Sequence, residues 1–373
     1  MLSHLECAYC RERFPVALLN VCDKCGRSLY ARYKMAYARK PRPRDGPGMW
    51  RYESLLPDRI PVTLGEGWTP LLEAPGLARE LGARMVWIKD EGVNPTGSFK
   101  ARGMAAALTM AKWLGAKDVC VPSAGNAGGA CAAYAARAGL RAHVYLPDTA
   151  PKANFAEVRA TGARVVRVKG TIADAAGRMR AEMKRRPMFD VSTLKEPYRV
   201  EGKKTMGFEI AEQLGWRLPT AVLYPAGGGT GLIGMWKAFQ EMEEVGWVKP
   251  PFPRMIAVQS MGCAPLVWAW KAGLEESQAW PNARTIATGL CVPKAFADWL
   301  ILRILRESRG DALAVTDALI KRSMRELASK TGVLFCPEGA ACWAAAKRLR
   351  WDAKDEVVLF NTGTGLKYID LLR

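Results

Sequence analysis

One lysine in this sequence is preceded by an unusual turn. Lys100 follows Asn-Pro-Thr-Gly and a Ser-Phe pair in the stretch NPTGSFKARG, Asn94 to Gly103, and an apolar helix begins there. A lysine that only solubilises a surface needs no such turn, whereas one that forms a covalent bond at a fixed place does. Burial or imine formation lowers the pKa of a lysine amine, which then suits proton transfer. The stretch predicts a catalytic lysine.

Histidine chemistry has few candidates in this chain, which contains only His4 and His143. A His-rich metal site is excluded, and sites of the Ser-His-Asp or Cys-His kind are disfavoured. His143 lies in the strand-like run RAHVYLP and is expected in the core or at a strand edge. Proton transfer in an enzyme of this composition falls to another group, for which lysine is the natural candidate.

A first loop with ligand-binding character is VPSAGNAGG, from Val121 to Gly129. Its small residues let a ligand approach the backbone, and the helix that follows points free N–H groups and a positive dipole end at that ligand. A carboxylate suits this place, and Asn126 adds an amide. A plain strand-to-helix turn with close helix packing explains the same residues equally well.

A second loop, YPAGGGTGLIG, places Gly227, Gly228, Gly229 and Gly231 around Thr230. Glycines between an apolar strand and a helix form a nest for an anion. The loop is neither a Walker loop, since no Gly-Lys-Ser/Thr follows, nor the spaced dinucleotide fingerprint. A single phosphate monoester fits best, and a purely structural turn is the alternative.

A third loop, LFNTGTGLK, follows the last predicted strand and places the hydroxyl of Thr362 at the mouth of the sheet. A polar C-terminal turn explains it as well. Taken together, an imine-forming lysine, a nest for one phosphate, an asparagine at a helix N-terminus and a neutral hydroxyl predict a site for pyridoxal phosphate.

The N-terminal segment contains two CxxC pairs, CAYC and CDKC. Two such pairs can surround Zn²⁺ with four thiolates, and a segment this small has little core of its own. We expect structural zinc there, the alternative being a degenerate ribbon that has lost its metal. The other six cysteines lie in apolar segments and are expected to be small core residues. The predicted zinc ligands are Cys7, Cys10, Cys22 and Cys25.

Strand and helix patterns alternate from Val62 onward, which favours parallel sheets covered by helices. Ligands bind beyond the carboxyl ends of strands in such sheets. The predicted strands are 85–90, 119–122, 142–147, 164–168, 221–224, 255–259 and 356–360. The predicted helices are 99–114, 152–161, 172–184, 204–214, 232–244, 317–330 and 340–350, with one more over NAGGACAAYAARAG.

The bulk composition is that of an ordinary globular protein of 373 residues with a net charge of +19. No apolar run reaches membrane-spanning length and the N-terminus lacks a signal-peptide core, so we expect a cytoplasmic protein. The positive charge raises nucleic acid as a partner, but no RNA-binding or helix-turn-helix motif stands out, which favours a solvated basic linker. The basic run consists of Arg27, Arg32, Lys34, Arg39, Lys40, Arg42, Arg44 and Arg51.

The sequence resembles the threonine synthase family, which has the tryptophan-synthase-β-like fold (fold type II) of pyridoxal-phosphate enzymes. The resemblance runs nearly end to end. It is carried by LYARYKM after the cysteine ribbon, MWRYESLLP, LGEGWTPLL, NPTGSFKARG, RVEGKKTMGFEIAEQLG and NTGTGLK. The implied domains are a four-cysteine, zinc-ribbon-like segment (1–34), a basic linker (35–60), a large cofactor domain (61–102 and 190–373) and a small substrate domain (103–189).

The resemblance also implies roles for individual residues. Lys100 is the cofactor-binding lysine and, once released, the proton shuttle, and Phe99 backs the cofactor ring. Asn126 bonds the 3-oxygen, and Thr362 faces the pyridine nitrogen. The cofactor phosphate is assigned to Gly227, Gly228, Gly229 and Thr230. The substrate is assigned to Ser123, Gly125 and Ala127 through its carboxylate, and to Ser192 and Arg199 through its phosphate.

The implied reaction converts O-phospho-L-homoserine and water into L-threonine and phosphate, in a homodimer. Two departures weaken the substrate assignment: Ala101 follows the lysine where many family members have aspartate, and the GGGTG turn is closer to serine/threonine dehydratases and cysteine synthases. Elimination or β-replacement on another amino acid is therefore the alternative. A non-catalytic nucleic-acid-binding protein on an enzyme-derived fold is the alternative of another class.

Overall fold

A computed structural model describes residues 1–42, 45–57 and 59–372 of the chain. Pro43, Arg44 and Asp58 of the predicted linker, and Arg373 of the predicted large domain, lie outside the described residues. The chain forms two compact units. The first consists of Met1–Gly67, Asn94–Thr96 and Lys100–Thr205, and the second of Trp68–Val93, Gly97–Phe99 and the chain from Met206 onward.

Strands and helices alternate through most of the chain. The strands are β1 Leu2–Cys7, β2 Arg13–Phe14, β3 Leu29–Tyr33, β4 Leu71–Glu73, β5 Met85–Asp90, β6 Asp118–Pro122, β7 Arg141–Pro147, β8 Arg164–Val168, β9 Phe189–Asp190, β10 Ala221–Pro225, β11 Arg254–Ser260, β12 Asp311–Val315 and β13 Glu356–Asn361. The helices are α1 Pro75–Leu81, α2 Lys100–Trp113, α3 Asn126–Ala138, α4 Lys152–Ala160, α5 Ile172–Met183, α6 Tyr198–Gln213, α7 Thr230–Glu244, α8 Pro265–Lys271, α9 Asp298–Glu307, α10 Asp317–Thr331 and α11 Pro337–Ala346.

The first unit contains two sheets. A four-stranded sheet has the order β8-β7-β6-β9 with parallel pairing throughout. A three-stranded antiparallel sheet, β2-β1-β3, forms the N-terminal ribbon. Cys120, Tyr145 and Met179 belong to the apolar core beside the larger sheet. The capping box at the start of α5, in which Thr171 and Asp174 bond each other's backbone N–H, fixes where that helix begins.

The second unit contains a six-stranded sheet of order β12-β11-β10-β13-β5-β4. Its strands run parallel except for β4, which pairs antiparallel with β5. Strands β10 and β13 are buried along their whole length, as expected for central parallel strands covered on both faces. The core of this unit includes Ile256, Leu327 and Trp343.

The prediction of two open, largely parallel sheets with an N-terminal cysteine ribbon is confirmed by this topology. Helix α6 begins six residues earlier than the predicted helix at Lys204, because the Glu196 carboxylate accepts the N–H groups of Tyr198 and Arg199. Helices α1, α8 and α9 were not predicted, and neither were strands β1 to β4, β9 and β12. The predicted domain boundaries at 102 and 190 stay a prediction, and the compact units divide the chain at other places.

Two arginines of the basic run are paired within the first unit. Arg32 donates to the Glu6 carboxylate at 2.7 and 3.0 Å, and Arg39 donates to Asp45 and Glu53 at 2.9 and 2.5 Å. These pairs leave less of the positive charge available to a nucleic-acid backbone. Among the described residues, no helix combines the length and apolar character that a bilayer crossing requires.

Candidate active site

Lys100 is the first residue of α2, in the first unit, and is half-buried. The residues after it, from Ala101 to Ala111, are buried. Helix α2 approaches α6 so closely that a Cβ on Gly202 would lie 1.9 Å from the carbonyl oxygen of Arg102. Only glycine allows this backbone contact. The start of α2 is therefore fixed by packing along the whole helix.

The turn before Lys100 is held by the third predicted loop, within the second unit. The Phe99 N–H donates to the Thr362 carbonyl at 3.1 Å, the Thr364 N–H donates to the Gly97 carbonyl at 2.9 Å, and Ser98 bridges to Gly363. Gly97 has a φ of +66°, which favours glycine. This pairing explains why the lysine follows such a turn: the chain that leads into Lys100 is hydrogen-bonded at a defined register.

The glycine turn joins β10 to α7 in the second unit. Gly229 is the residue before the helix and adopts a left-handed conformation with a φ of +68°. A Cβ on Gly227 would lie 2.2 Å from the Gly289 carbonyl oxygen. The first N–H groups of a helix have no intrahelical partner, and Thr230, buried at the first position of α7, adds a hydroxyl. These donors suit a phosphate at the positive end of the helix dipole.

Thr362 follows β13 and is 6% exposed. Its Oγ1 lies 3.5 Å from the Cys336 Sγ, so its neighbour there is neutral. The preceding residue, Asn361, pairs with Asp90 of β5 and donates to its carboxylate at 2.9 Å. Burial raises the pKa of Asp90. Because β13 lies between β10 and β5, the loops after these parallel strands meet at one carboxyl edge.

Two polar residues of the second unit were missed by the sequence analysis. Ser98 is fully buried, and its Oγ has no hydrogen-bond partner among the described residues. Burying a hydroxyl without a hydrogen-bond partner costs folding free energy, and a bound polar ligand would supply that partner. The Tyr224 ring packs edge-on against Phe99 at 6.0 Å. Burial raises the pKa of Tyr224 well above its usual value, which keeps the phenol neutral. The only sequence signal for Ser98 was its place beside Phe99.

The first unit contains the predicted carboxylate site at the start of α3. The Ser123 Oγ accepts the N–H groups of Gly125 and Gly128 at 3.1 and 2.9 Å, so this hydroxyl shapes the turn. Asn126 is the first residue of α3, and Gly125, Asn126 and Ala127 are half-buried. The Asn154 side chain donates to the carbonyl before Gly125 at 2.7 Å. The turn is therefore rigid with one accessible edge.

Ser192 follows β9 and Arg199 is the second residue of α6, both in the first unit. The Ser192 hydroxyl donates to the Asp190 carboxylate. Arg199 is 1% exposed, and its Nη1 donates to the Val191 carbonyl at 2.6 Å. Its Nε and Nη2 have no hydrogen-bond partner among the described residues. Burial lowers the pKa of Arg199, and the nearby Glu196 opposes that shift. Two buried guanidinium nitrogens without a hydrogen-bond partner among the described residues suit an anion.

The predicted residues thus form two groups. The first unit contains Lys100, Ser123, Gly125, Asn126, Ala127, Ser192 and Arg199, and the second contains Phe99, Gly227, Gly228, Gly229, Thr230 and Thr362. A cavity of about 330 Å³ in the first unit lies beside Arg141, His143 and Arg164, and none of the predicted site residues lines it. His143 is buried and its Nε2 lies 2.7 Å from the Asp118 carboxylate, which confirms its place in the core.

The chemical types of the side chains and backbone donors in each group suit parts of pyridoxal phosphate. The second unit supplies the glycine turn for a phosphate and buried neutral hydroxyls, Ser98 and Thr362, for a ring. The first unit supplies an amine at Lys100, an amide at Asn126 and the anion-binding donors of Arg199. None of these side chains is a carboxylate, so no negative charge in the set repels an anionic cofactor.

The four N-terminal cysteines also come together. Their Sγ atoms all lie within 4.8 Å of one another, with contacts of 3.4 Å between Cys7 and Cys25 and 3.6 Å between Cys10 and Cys22. A tetrahedral shell with Zn–S bonds of about 2.3 Å places sulfurs about 3.8 Å apart, close to these distances. The Tyr9 N–H also donates to the Cys7 Sγ at 3.4 Å, which stabilises a thiolate ligand.

Comparison of the sequence with protein families finds a match over residues 62–363 to the family described as pyridoxal-phosphate dependent enzyme. Among curated proteins, the chain is 33% identical over 376 residues to the threonine synthase of Methanosarcina acetivorans, covering 98% of this chain and 92% of that protein. It is 38% identical over 325 residues to the threonine synthase of Synechocystis sp., covering 85% of this chain and 82% of that protein.

Solved structures with a similar fold include a threonine deaminase from the organism abbreviated T.th., with a TM-score of 0.68 and 27% identity, covering 79% of this chain and 92% of that chain. Maize serine racemase has a TM-score of 0.70 at 22% identity, covering 81% of this chain and 91% of that chain, and shows likeness of fold alone. The fold class predicted from the sequence agrees with these neighbours.

Proposed function

We propose a function from one established premise: the chain belongs to the family of pyridoxal-phosphate-dependent enzymes. The proposed activity is that of a threonine synthase, a carbon–oxygen lyase that converts O-phospho-L-homoserine and water into L-threonine and phosphate. The names of its curated relatives support this choice, since they are threonine synthases matched over most of both chains. The observation that carries the substrate assignment is the buried guanidinium of Arg199, whose Nε and Nη2 have no hydrogen-bond partner among the described residues.

The proposal assigns each predicted cofactor residue a role. Lys100 binds pyridoxal phosphate covalently, Gly227, Gly228, Gly229 and Thr230 bind its phosphate, and Phe99, Asn126 and Thr362 contact its ring. When bound, the cofactor supplies an electron sink for negative charge at the substrate's Cα. Thr362 offers the ring a neutral hydroxyl, not a carboxylate, which restrains full delocalisation and favours elimination.

Substrate binding and proton transfer belong to the first unit. The backbone of the Ser123–Ala127 turn, at the start of α3, binds the substrate carboxylate. The Lys100 amine takes the proton from the substrate's Cα. Ser192 and Arg199 bind the γ-phosphate, and the guanidinium stabilises the dianion that leaves. A proton must also leave Cβ for the phosphate to leave Cγ. The hydroxyl of water then adds at Cβ, and the protons taken from Cα, Cβ and water go to Cα, Cγ and the departing phosphate.

The direct test is release of inorganic phosphate. Purified protein with pyridoxal phosphate is expected to release phosphate and form L-threonine in equal amounts from O-phospho-L-homoserine. L-Serine and L-threonine, tested in parallel, are expected to yield little ammonia. Ammonia and a keto acid from either amino acid, with no phosphate from phosphohomoserine, would overturn the proposal in favour of a dehydratase.

A β-replacement synthase remains the third chemistry for the same site, and a panel of sulfur and nitrogen nucleophiles with O-activated serines would detect it. The nucleic-acid-binding alternative is weakened by the family match and by the pairing of Arg32 and Arg39 with acidic residues. A homodimer located in the cytoplasm belongs to the same proposal and rests on the family resemblance.

Zinc in the ribbon is the second cofactor that we propose. We expect one zinc ion per chain by elemental analysis, because the four sulfurs already lie near tetrahedral spacing. Cys22→Ser is expected to lose that zinc and to melt at a lower temperature, since metal binding contributes folding free energy. Cys342→Ser, a buried cysteine outside the cluster, is the control and should retain full zinc. A zinc-free wild-type protein with unchanged stability would contradict the assignment.

A further inference from the structure

The segment that contains Ser192 and leads to Arg199 in α6 is short and internally constrained. Residues 191–197, named here the β9–α6 loop, join Asp190 at the end of β9 to Tyr198 at the start of α6. Leu194 within it has a φ of +59°, a conformation that costs free energy for a residue with a Cβ. Such a conformation persists only when surrounding contacts hold it.

Those contacts come from the ribbon. The Asn20 side-chain amide donates to two carbonyl oxygens of this region, those of Asp190 and Lys195, each at 2.7 Å. Both of its N–H bonds are used, one toward each end of the loop. The Ser28 hydroxyl donates at 2.8 Å to the carbonyl of Leu194, the residue with positive φ.

A further hydrogen bond has its donor in α6 and its acceptor in the ribbon. The Tyr198 hydroxyl, at the first position of α6, donates to the Ala17 carbonyl at 2.8 Å. Asn20, Ser28 and Ala17 all belong to the N-terminal ribbon, more than 160 residues away in sequence from the groups they contact. The ribbon therefore bonds the loop near its beginning, at its constrained residue and at its end.

The same loop positions the anion-binding groups from within. The Arg199 Nη1 donates to the Val191 carbonyl at 2.6 Å, and the Ser192 N–H and hydroxyl both donate to the Asp190 carboxylate. A shift of the backbone at residues 190–195 would therefore move both groups. Displacement of a binding group by even 1 Å weakens its contribution to catalysis.

We propose that Asn20, with Ser28, is a positioning residue that holds the β9–α6 loop in the conformation in which Ser192 and Arg199 bind the substrate's phosphate. The inference rests on the proposed function for the identity of the bound group. It gives the ribbon a role in substrate affinity that zinc binding alone does not assign. Neither residue touches the reacting atoms.

The test compares Asn20→Ala and Ser28→Ala with wild type and with Lys24→Ala. Lys24 is an exposed ribbon residue whose Nζ contacts only Glu12 among the ion pairs of the described residues, so it is the matched control. We expect KM for O-phospho-L-homoserine to rise about 5- to 50-fold in Asn20→Ala and by less in Ser28→Ala. We also expect kcat to fall, because a displaced Arg199 stabilises the departing phosphate less well. The Lys24 variant should keep wild-type values.

A second readout does not depend on turnover. Amide hydrogen exchange of residues 191–197 is expected to be faster in Asn20→Ala, while exchange in β10 and β13 of the second unit stays unchanged. Unchanged exchange in this loop in both variants, or faster exchange with an unchanged KM, would overturn the inference. Absence of phosphate release in the wild type would instead defeat the proposed function, and the exchange result would still decide whether the ribbon holds the loop.

Discussion

Substitution of Lys100 by alanine is expected to lower phosphate release from O-phospho-L-homoserine by at least about 10³-fold. The substitution removes both the proposed covalent attachment point and the base that takes the Cα proton. The buried residues that follow Lys100 hold helix α2 in place, and Lys100 is only its first residue. The fold should therefore tolerate the loss of the lysine side chain. Initial rates with saturating cofactor measure the effect, and circular dichroism checks the fold.

A control lysine lies on the same helix. Lys112 is exposed in the last turn of α2, and Lys112→Ala should keep wild-type activity and the yellow colour of the bound cofactor. Borohydride should remove that colour from the wild type and fix the cofactor to a peptide that contains Lys100. If Lys100→Ala kept a borohydride-sensitive yellow colour, the lysine assignment would be wrong.

The second large effect is expected at the glycine turn. In Gly227→Ala the new Cβ would lie 2.2 Å from the Gly289 carbonyl oxygen and 3.1 Å from a methyl carbon of Val292. The backbone at Gly289 is itself held, because its N–H donates to the Glu338 carboxylate at 2.7 Å. The turn must therefore shift. Overpacking of this kind costs about 1–3 kcal/mol, and we expect the Kd of pyridoxal phosphate to rise about 10- to 100-fold.

Gly76→Ala provides the matched control for this substitution. Gly76 lies in α1 of the same unit, and a Cβ there would meet nothing within 4 Å. Alanine in a helix is more favourable than glycine by about 0.5–1 kcal/mol, so this variant should be slightly more stable and bind the cofactor normally. Equal cofactor affinity in Gly227→Ala and wild type, measured by absorbance titration, would remove the turn from the phosphate site.

Several features could be predicted from the sequence because they depend on neighbours along the chain. The spacing of apolar residues and the local composition predict a strand before Gly227–Thr230 and a helix after it. In the structure α7 begins at Thr230. Two CxxC pairs predict a cysteine cluster, and the four sulfurs do lie together. The start of α6 was misplaced because its cap is the side chain of Glu196, a residue with no helical pattern of its own.

Other features depend on partners far away in sequence. The role of Ser123 in binding the substrate carboxylate, through a polar group or its backbone, stays a prediction. The sequence did not show that its hydroxyl accepts two N–H groups of the turn that it belongs to. The place of Ser98 beside Phe99 did not reveal its role, since a buried hydroxyl without a hydrogen-bond partner among the described residues can be recognised only when its surroundings are known. Asn20 gave no signal in the sequence, because its two acceptors lie 170 and 175 residues further along the chain.

The sequence by itself determined which residues can do chemistry: a lysine after a tight turn, a glycine-rich anion nest and four paired thiols are local patterns whose meaning follows from residue type and spacing. Only the tertiary structure decided which of those groups are held in place, and by what. Strand order brings the loops after β5, β10 and β13 to one edge of a sheet, and the ribbon bonds the loop before α6. Such contacts are set by the burial of backbone hydrogen bonds and apolar surface between distant segments, and no local pattern encodes which segments meet.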